Sequence, residues 1–221
     1  MRNVKRTDEP ETLVREAPGW RKRVQELKLS GKQIPDSLMN KYNQPEIKEA
    51  LKTMYSDNQG GYCCCYCESP IGVVDYPHIE HRWPKSIYEE RAFDWDNLHL
   101  ACQKCNMHKG DQWDDAYPIL DAVLDVPIAN HLSYDSGGRG VYRKDLQPRG
   151  TTTVKHADLN RDELLQVRLY LYADIVGKIC RIKKNPGGLS EKQQLQARCK
   201  GAYGSMVKYL VDTLCPECWD E

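Results

Sequence analysis

Two pairs of cysteines with the same internal spacing carry the clearest chemistry in this sequence. Two residues separate Cys64 from Cys67, and two separate Cys102 from Cys105. This spacer lets both thiolates of a pair reach one ion, and two such pairs complete the four-thiolate set of a structural zinc site. Four thiolates leave no open coordination position, so we expect a zinc ion that stabilises the fold without taking part in catalysis. The alternative is four reduced cysteines that pack without a metal.

A second group of polar residues lies between and after these pairs, namely Glu80, His81, Asn97, Asn106 and Lys109. Histidine ionises near neutral pH and can activate a water molecule, while carboxylate and amide oxygens bind hard divalent ions. Together they suit metal-assisted hydrolysis of a phosphodiester, the chemistry of a nuclease. Asn106 directly follows a zinc cysteine, which would fix its position, and Lys109 lies one helical turn further on, where it could contact a phosphate. Glu80 and His81 would point to opposite faces of a strand, so a turn or a strand end must bring them together.

The overall composition limits how such a protein could hold nucleic acid. Acidic and basic residues number 32 each, so the formal net charge is zero, unlike that of many nucleic-acid-binding proteins. Phosphate binding must therefore come from local basic clusters or from a partner. The candidate clusters are Arg21 to Arg23, Arg139 to Lys144 and Arg181 to Lys184, although each could equally be a solvated face.

Long apolar segments are missing from the sequence. The mean hydropathy is −0.73, and no run of about 18 apolar residues could span a membrane. The first residues contain no apolar signal region. We therefore expect an intracellular, cytoplasmic location and no contact with membranes.

The sequence holds ten cysteines, and most of them fall into tight clusters. In an intracellular protein, clustering favours metal sites over disulfides. Cys63 and Cys65 have the wrong spacing for a zinc knuckle and are interpreted as reduced bystanders. A second metal site remains open for Cys180, Cys199, Cys215 and Cys218, although Cys199 also fits an apolar helical stripe.

The segments on either side of the cysteine-rich centre have helical patterns. A helix is predicted from Trp20 to Leu29, and Asn43 with Glu46 resembles a capping box that opens a second helix. In the centre, strands are predicted over residues 71–76, 79–81 and 95–100, followed by a helix from Asn106 onwards. Residues 131–134 and 141–143 could pair as a β-hairpin across a glycine-rich turn.

Two further helices are predicted near the end of the sequence. Asn160 with Glu163 resembles a capping box for the first, whose apolar stripe would be Leu165, Leu169, Tyr172, Val176 and Ile179. After a turn at residues 184–188, a second stripe is formed by Leu195, Cys199, Ala202, Met206 and Leu210. The two stripes predict an antiparallel helical hairpin.

The central residues also resemble a known motif. Ile79-Glu80-His81-x-x-Pro84-Lys85, then Asn97-Leu98, then Cys102-x-x-Cys105-Asn106-x-x-Lys109 is similar to the HNH endonuclease motif in its zinc-binding form. The resemblance implies an α+β protein built on a zinc-stapled ββα-metal finger. It also implies that His81 is the general base, that Asn97 orients the loop of this base, and that Glu80 and Asn106 bind a catalytic Mg²⁺ or Mn²⁺. Lys85 and Lys109 would then contact nucleic acid. His78 and His108 match no position to which a role can be given.

Further segments resemble the PtuB family, including Arg2-x-Val4-x-Arg6, Cys64-x-Tyr66-Cys67-Glu68 and Asp158-Leu159-Asn160. This family implies the nuclease subunit of a Septu or retron-associated antiphage defence system, working beside a PtuA-like ATPase of the ABC/SMC type. On this basis residues 1–60 form an N-terminal helical extension that could dock the partner, residues 61–125 the HNH module, and residues 126–221 a hairpin and helical C-terminal region. A zinc-stabilised module that binds nucleic acid or protein without cutting is the alternative. The sequence leaves open whether the substrate is DNA or RNA.

Overall fold

The computed structural model describes residues 1–57, 59–72, 75–185 and 189–219 and has the expected mixed α+β architecture. Its strands form three separate two-stranded antiparallel hairpins, and helices lie before, between and after them. Within the described part of the chain, no helix is long and apolar enough to cross a membrane.

Three helices precede the cysteine-rich centre: α1 (Glu11–Leu29), α2 (Asp36–Met39) and α3 (Pro45–Met54). Helix α1 is longer than predicted and buries residues at helical spacing, including Leu13, Ala17, Trp20 and Val24. Helix α3 begins at a proline, whose missing N–H costs nothing in the first turn. The predicted capping box is wrong, because Gln44 is the N-cap residue and no side chain caps the helix.

The centre of the molecule contains two hairpins and a short helix. Strand β1 (Tyr62–Cys63) pairs with β2 (Pro70–Ile71), and β3 (His78–His81) pairs with β4 (Leu98–Ala101). Helix α4 (Gln103–Lys109) follows β4 directly. The ββα order was therefore predicted correctly, although β4 is shorter than predicted because residues 95–97 form a 3₁₀ turn.

Two boundaries in this centre differ from the prediction. The strand predicted over residues 71–76 ends at Ile71, since Gly72 takes a positive φ of 96° (Val73 and Val74 lie outside the described residues). Helix α4 begins three residues before Asn106, because the Asp75 carboxylate accepts the backbone N–H of Gln103 at 2.8 Å. An acidic group at this position satisfies a free helical donor and favours an early helix start.

The C-terminal part begins with the predicted hairpin and continues as helices. Strand β5 (Leu132–Tyr134) pairs with β6 (Val141–Arg143). The helices that follow are α5 (Arg149–His156), α6 (Asp162–Lys184), α7 (Leu189–Arg198) and α8 (Gly204–Leu214). Helix α6 packs against both α7 and α8. Of the turn predicted at residues 184–188, Lys184 ends α6 and Asn185 is its C-cap residue, while residues 186–188 lie outside the described residues.

The apolar stripe predicted for α6 is misplaced by a few residues. The helix buries Leu164, Arg168, Ile175, Ile179 and Ile182, so only Ile179 belongs to both sets. Leu169, predicted to be in the core, is exposed. A long helix with apolar residues on more than one face does not specify from its own sequence which face the neighbours will cover.

The second predicted C-terminal helix is divided into α7 and α8. Helix α7 ends at Arg198, and Tyr203, whose backbone is left-handed with φ 54°, is the N-cap residue of α8. Gly204 lies so close to the carbonyl of Cys199 that a Cβ atom there would collide with it. Glycine is therefore required at this break.

Asn160 was predicted to cap α6, but it instead holds the β5–β6 hairpin. Its Oδ1 accepts the Val141 N–H and its Nδ2 donates to the Val141 carbonyl, both at 2.8 Å. The N-cap residue of α6 is Arg161, without a side-chain cap. The amide of Asn160 thus occupies the position of a third strand beside β6.

The two asparagines of the wrongly predicted capping boxes form a matched pair for a test. Asn160→Ala removes both hydrogen bonds to Val141 and should lower the unfolding free energy by about 1–2 kcal/mol. Asn43→Ala should change it by no more than about 0.5 kcal/mol, because its exposed side chain makes no hydrogen bond to the described residues. Urea unfolding of both variants measures the difference. Equal losses would show that Asn160 does not hold β6.

Candidate functional site

The four predicted zinc cysteines meet at one point between the central hairpins and α4. The sulfur atoms of Cys64, Cys67, Cys102 and Cys105 all lie within 4.8 Å of one another, and all four residues are buried. A tetrahedral zinc site with Zn–S bonds of about 2.3 Å separates its sulfurs by about 3.8 Å. The Cys67 and Cys102 sulfurs lie 3.8 Å apart, so the donor set fits zinc.

Polar groups around this cluster come from the loop after Cys67 and from the C-terminal part of the chain. The Arg161 guanidinium donates to the Cys105 sulfur at 3.4 Å, and the Ser69 hydroxyl lies 3.1 Å from the Cys67 sulfur. Ser69 is also hydrogen-bonded to the Tyr203 hydroxyl at 2.8 Å. Burial works against the charge of Arg161, but the Cys105 thiolate raises its pKa above the ordinary value. These contacts suit a cluster of negative sulfurs.

The remaining cysteines are not among the four that converge, although Cys65 is hydrogen-bonded to Cys64. Cys63 and Cys65 are free and buried, as the bystander interpretation requires, and burial raises the pKa of the Cys63 thiol to about 12. Cys215 and Cys218 form a disulfide. This pairing corrects both the open second metal site and the expectation that clustered cysteines avoid disulfides. Cys180 is exposed and free, and Cys199 is half-buried and free.

Glu80 lies on β3 with its carboxylate turned towards α4. Its Oε1 is 2.7 Å from the Lys109 ammonium and accepts the Tyr66 hydroxyl at 3.2 Å. Lys109 also donates to the His81 carbonyl at 2.7 Å and is completely buried. Burial raises the pKa of Glu80, against the attraction of the Lys109 charge. Lys109 therefore holds the strand from within, and its contact with a phosphate stays a prediction.

His81 turns to the side of β3 opposite Glu80, as strand alternation requires. Its Nε2 lies 3.0 Å from the carbonyl oxygen of Ala92, which can only accept, so Nε2 carries the proton and Nδ1 is left unprotonated. Burial lowers the pKa of His81 to about 3. The imidazole is therefore neutral at physiological pH.

Asn97 joins both arms of the segment between β3 and β4. Its Oδ1 accepts the Trp83 N–H at 2.7 Å, and its Nδ2 donates to the carbonyls of Trp83 at 3.1 Å and Arg91 at 3.0 Å. Arg91 precedes Ala92, whose carbonyl holds the His81 ring. The Asn97 amide thus fixes the backbone on both sides of this histidine.

Asn106 lies on α4 and faces His78 on β3. Its Nδ2 is 3.4 Å from the Nδ1 of His78, and both side chains are half-buried. His78 precedes Glu80 by two residues on the same strand, so the two share a face. Asn106 and Lys109 in turn share a face of α4, one turn apart. His108 points elsewhere, towards Asp158 at 3.4 Å.

A segment that follows α2 covers His81. The Tyr42 ring meets the imidazole edge-on, with centroids 4.4 Å apart. The Lys85 ammonium donates to the Asn40 side chain at 2.7 Å and to the Tyr42 hydroxyl at 3.0 Å. Only 6% of His81 remains exposed. Lys85 is half-buried and closes the cover from the opposite side.

The predicted site residues therefore fall into two groups on either side of β3. Glu80 and Asn106 occupy the face towards α4, while His81 and Asn97 belong to the loop on the other face. Carboxylate and amide oxygens from Glu80 and Asn106 have the chemistry that hard divalent ions prefer. The strand does not turn to bring His81 beside Glu80.

Sequence reasoning missed several residues that contact this site. Tyr42 and Arg161 lie far along the chain from the motif, so no local spacing indicated them. His78 could have been found from strand alternation, because it lies two residues before Glu80. Tyr66 lies inside the Cys64–Cys67 knuckle, whose tight turn limits where its side chain can go.

Comparison with known proteins agrees with the geometry. Residues 64–112 match the HNH endonuclease family. The chain is also 28% identical over 164 residues to the Septu protein PtuB of Bacillus mycoides (strain KBAB4). That similarity covers 61% of this chain and 53% of the relative, so it spans about half the length of that protein.

Removal of one thiolate tests the zinc assignment. Cys102→Ser should abolish zinc binding and lower the unfolding free energy by about 3 kcal/mol or more, because metal binding at such a site is coupled to folding. Cys180→Ser is the matched control, since Cys180 is exposed and outside the cluster. It should retain one zinc ion per chain by elemental analysis and wild-type stability. Full zinc content in Cys102→Ser would refute the assignment.

The Tyr42 cover predicts how readily His81 reacts. Diethylpyrocarbonate should modify the exposed His108 quickly and His81 slowly, as followed by peptide mass spectrometry. In Tyr42→Ala the modification of His81 should become faster while that of His108 stays unchanged, because only the ring packed on His81 is removed. Rapid modification of His81 in the wild-type protein would contradict the cover.

Proposed function

The chain is an HNH-family protein related to PtuB, and on that basis we propose that it hydrolyses phosphodiester bonds of nucleic acid with the help of a divalent ion. The observation that carries the proposal is the neutral imidazole of His81, held by a backbone carbonyl so that Nδ1 is free of a proton. A fixed, unprotonated histidine nitrogen can accept a proton. Because burial is what lowers the pKa of His81 to about 3, the pKa must rise towards neutral on exposure of the ring for His81 to be an efficient general base.

In this mechanism Nδ1 of His81 takes a proton from the attacking water. The Ala92 carbonyl prevents the ring from turning and keeps the second nitrogen protonated. Asn97 holds the backbone around the ring through Trp83 and Arg91. Correct placement of a base is worth a large factor in rate, since reaction depends on close approach of the reacting atoms.

The negative charge on the phosphate must be stabilised by a group other than His81. Glu80 and Asn106 would hold a divalent ion such as Mg²⁺ or Mn²⁺, which would supply positive charge for the phosphate and the leaving oxygen. Because these two residues lie on the α4 side of β3 and His81 on the other, this mechanism requires the end of β3 to move before the ion and the base can act on one phosphate. Lys109 keeps Glu80 ordered within the protein by its ion pair at 2.7 Å. Lys85 lies on the His81 side, and its ammonium could bind a phosphate once it leaves Asn40 and Tyr42.

The cover over His81 is consistent with a nuclease that is regulated. Water and substrate can reach the ring only after Tyr42 has moved, because the ring is nearly inaccessible. We propose that a partner ATPase of the PtuA type provides this change in a Septu or retron-associated antiphage complex in the bacterial cytoplasm. Residues 1–60 contain Tyr42 and are the proposed docking region, while residues 61–125 act as the nuclease and residues 126–221 support it.

A zinc-stabilised binding module that does not cut is the second candidate. The same burial of His81 favours it, because a covered base cannot act in this conformation. This alternative requires the cysteine cluster but not Glu80, His81 and Asn106 together. Cleavage and binding must therefore be measured separately.

Substitution of His81 separates the two functions. His81→Ala should reduce Mg²⁺- or Mn²⁺-dependent cleavage by the chain with its ATPase partner at least about 100-fold, the usual loss for a general base. His108→Ala is the matched control, because His108 is exposed and lies away from β3. The assay uses both DNA and RNA, with EDTA as the metal-free control.

The outcomes of this experiment are distinct. Loss of cleavage in His81→Ala with unchanged zinc content and partner binding supports the nuclease. Equal cleavage by His81→Ala and the wild type would show that His81 is not the base. If the wild-type complex binds nucleic acid but does not cut with either ion, the binding module is the better description.

A further inference from the structure

The N-terminal segment before α1 uses an arginine to hold the turn that carries Asn97. Arg6 donates from Nη1 to the carbonyls of Trp95 at 3.1 Å and Leu98 at 2.7 Å, and from Nη2 to that of Asp96 at 3.0 Å. The remaining carbonyl of this turn, that of Asn97, accepts the backbone N–H of Arg82 at 3.1 Å. All four carbonyls from residue 95 to residue 98 are thereby satisfied.

Arg6 is fixed by more than these hydrogen bonds. Its guanidinium lies over the Trp95 ring, 5.4 Å from the centroid, and the Trp95 indole N–H donates to the carbonyl of Thr7 at 2.9 Å. The side chain is only 14% exposed. Its nearest carboxylate is that of Asp96, which is 4.0 Å away and largely solvent-exposed. The contacts of Arg6 are therefore mainly to backbone carbonyls.

These carbonyls lie at the start of a chain of contacts that ends at His81. The turn fixes the position of the Asn97 backbone and so of its side chain, which is hydrogen-bonded to the backbone of Trp83 and Arg91. Ala92, next to Arg91, accepts from the His81 ring. A shift of the turn would therefore move the groups that orient the imidazole, although Arg6 touches neither the ring nor the substrate.

We propose that Arg6 is a positioning residue of the nuclease site, acting through the 95–98 turn and Asn97. This inference rests on the proposed function and adds a residue that lies outside the HNH segment. Arginine is required because one planar guanidinium presents several donors in fixed directions, and a lysine ammonium cannot reach three carbonyls from the same place.

Arg2 offers a matched control within the same segment. It donates to the carbonyls of Tyr55, Ser56, Lys200 and Gly201 at distances between 2.6 and 3.3 Å. Like Arg6, Arg2 uses its guanidinium to donate hydrogen bonds to several backbone carbonyls, but none of these carbonyls lies near Asn97 in the chain. Arg2→Lys and Arg6→Lys should therefore cost similar stability and differ in their effect on the site.

The experiment compares Arg6→Lys with Arg2→Lys in the full-length chain together with its ATPase partner. Arg6→Lys should lower kcat about tenfold or more while KM stays within about twofold, because transition-state alignment is lost and ground-state binding is kept. Because both arginines lie within the proposed docking region, the affinity of each variant for the partner is measured as well, and the assay uses saturating partner. Under these conditions Arg2→Lys should keep kcat and KM near their wild-type values. Unfolding free energies of both variants show whether the losses of stability match.

A second measurement does not depend on cleavage. In NMR spectra, the side-chain amide signals of Asn97 should shift or broaden in Arg6→Lys and stay in place in Arg2→Lys. Unchanged Asn97 signals in Arg6→Lys would overturn the inference, as would a wild-type kcat in that variant or an equal fall of kcat in Arg2→Lys. A wild-type complex that does not cut would instead count against the proposed function. In that case the Asn97 signals alone would test whether Arg6 positions the 95–98 turn.

Discussion

The convergence of four cysteine sulfurs is the constraint on which the rest of this structure depends. The central strands are only two to four residues long, and isolated hairpins of this size are not stable in water. The cluster joins the Cys64–Cys67 knuckle to the start of α4, and the Cys65 N–H reinforces this link by donating to the Leu100 carbonyl on β4 at 2.8 Å. The convergence of the cysteines thus links strands that are too short to be stable alone.

The same constraint explains which parts of the site could be predicted from sequence. The cluster fixes the position of residues that are adjacent to a cysteine in the chain. Asn106 is such a residue, and its place on a helix was predicted correctly. The two strands that pair as β3 and β4 were also predicted, from local patterns around Ile79 and Leu98. The spacing of residues in the sequence could not specify which face of its strand or helix each site residue would occupy. Lys109 became a buried partner of Glu80 because the short helix turns that face inward.

Errors outside the centre have a common physical origin. Asn43 and Asn160 both fit a capping pattern, yet neither caps a helix, because a competing partner or a neighbouring residue took the position. For α6, the face that is buried was decided by α7 and α8 rather than by the apolar pattern of the helix alone. The contacts of Arg6 and Tyr42 depend on tertiary structure across long sequence separations, for which a single sequence carries no periodic signal.

The buried Glu68 connects the zinc knuckle with a part of the protein that is synthesised much later. It accepts the Ser205 N–H at 3.0 Å, and its neighbour Ser69 bonds the Tyr203 hydroxyl. Because a ribosome makes the chain in one direction, all four zinc cysteines are available long before residues 203–205. If the four cysteines bind zinc, they can therefore do so before the fold is complete, while the growing chain still lacks α8.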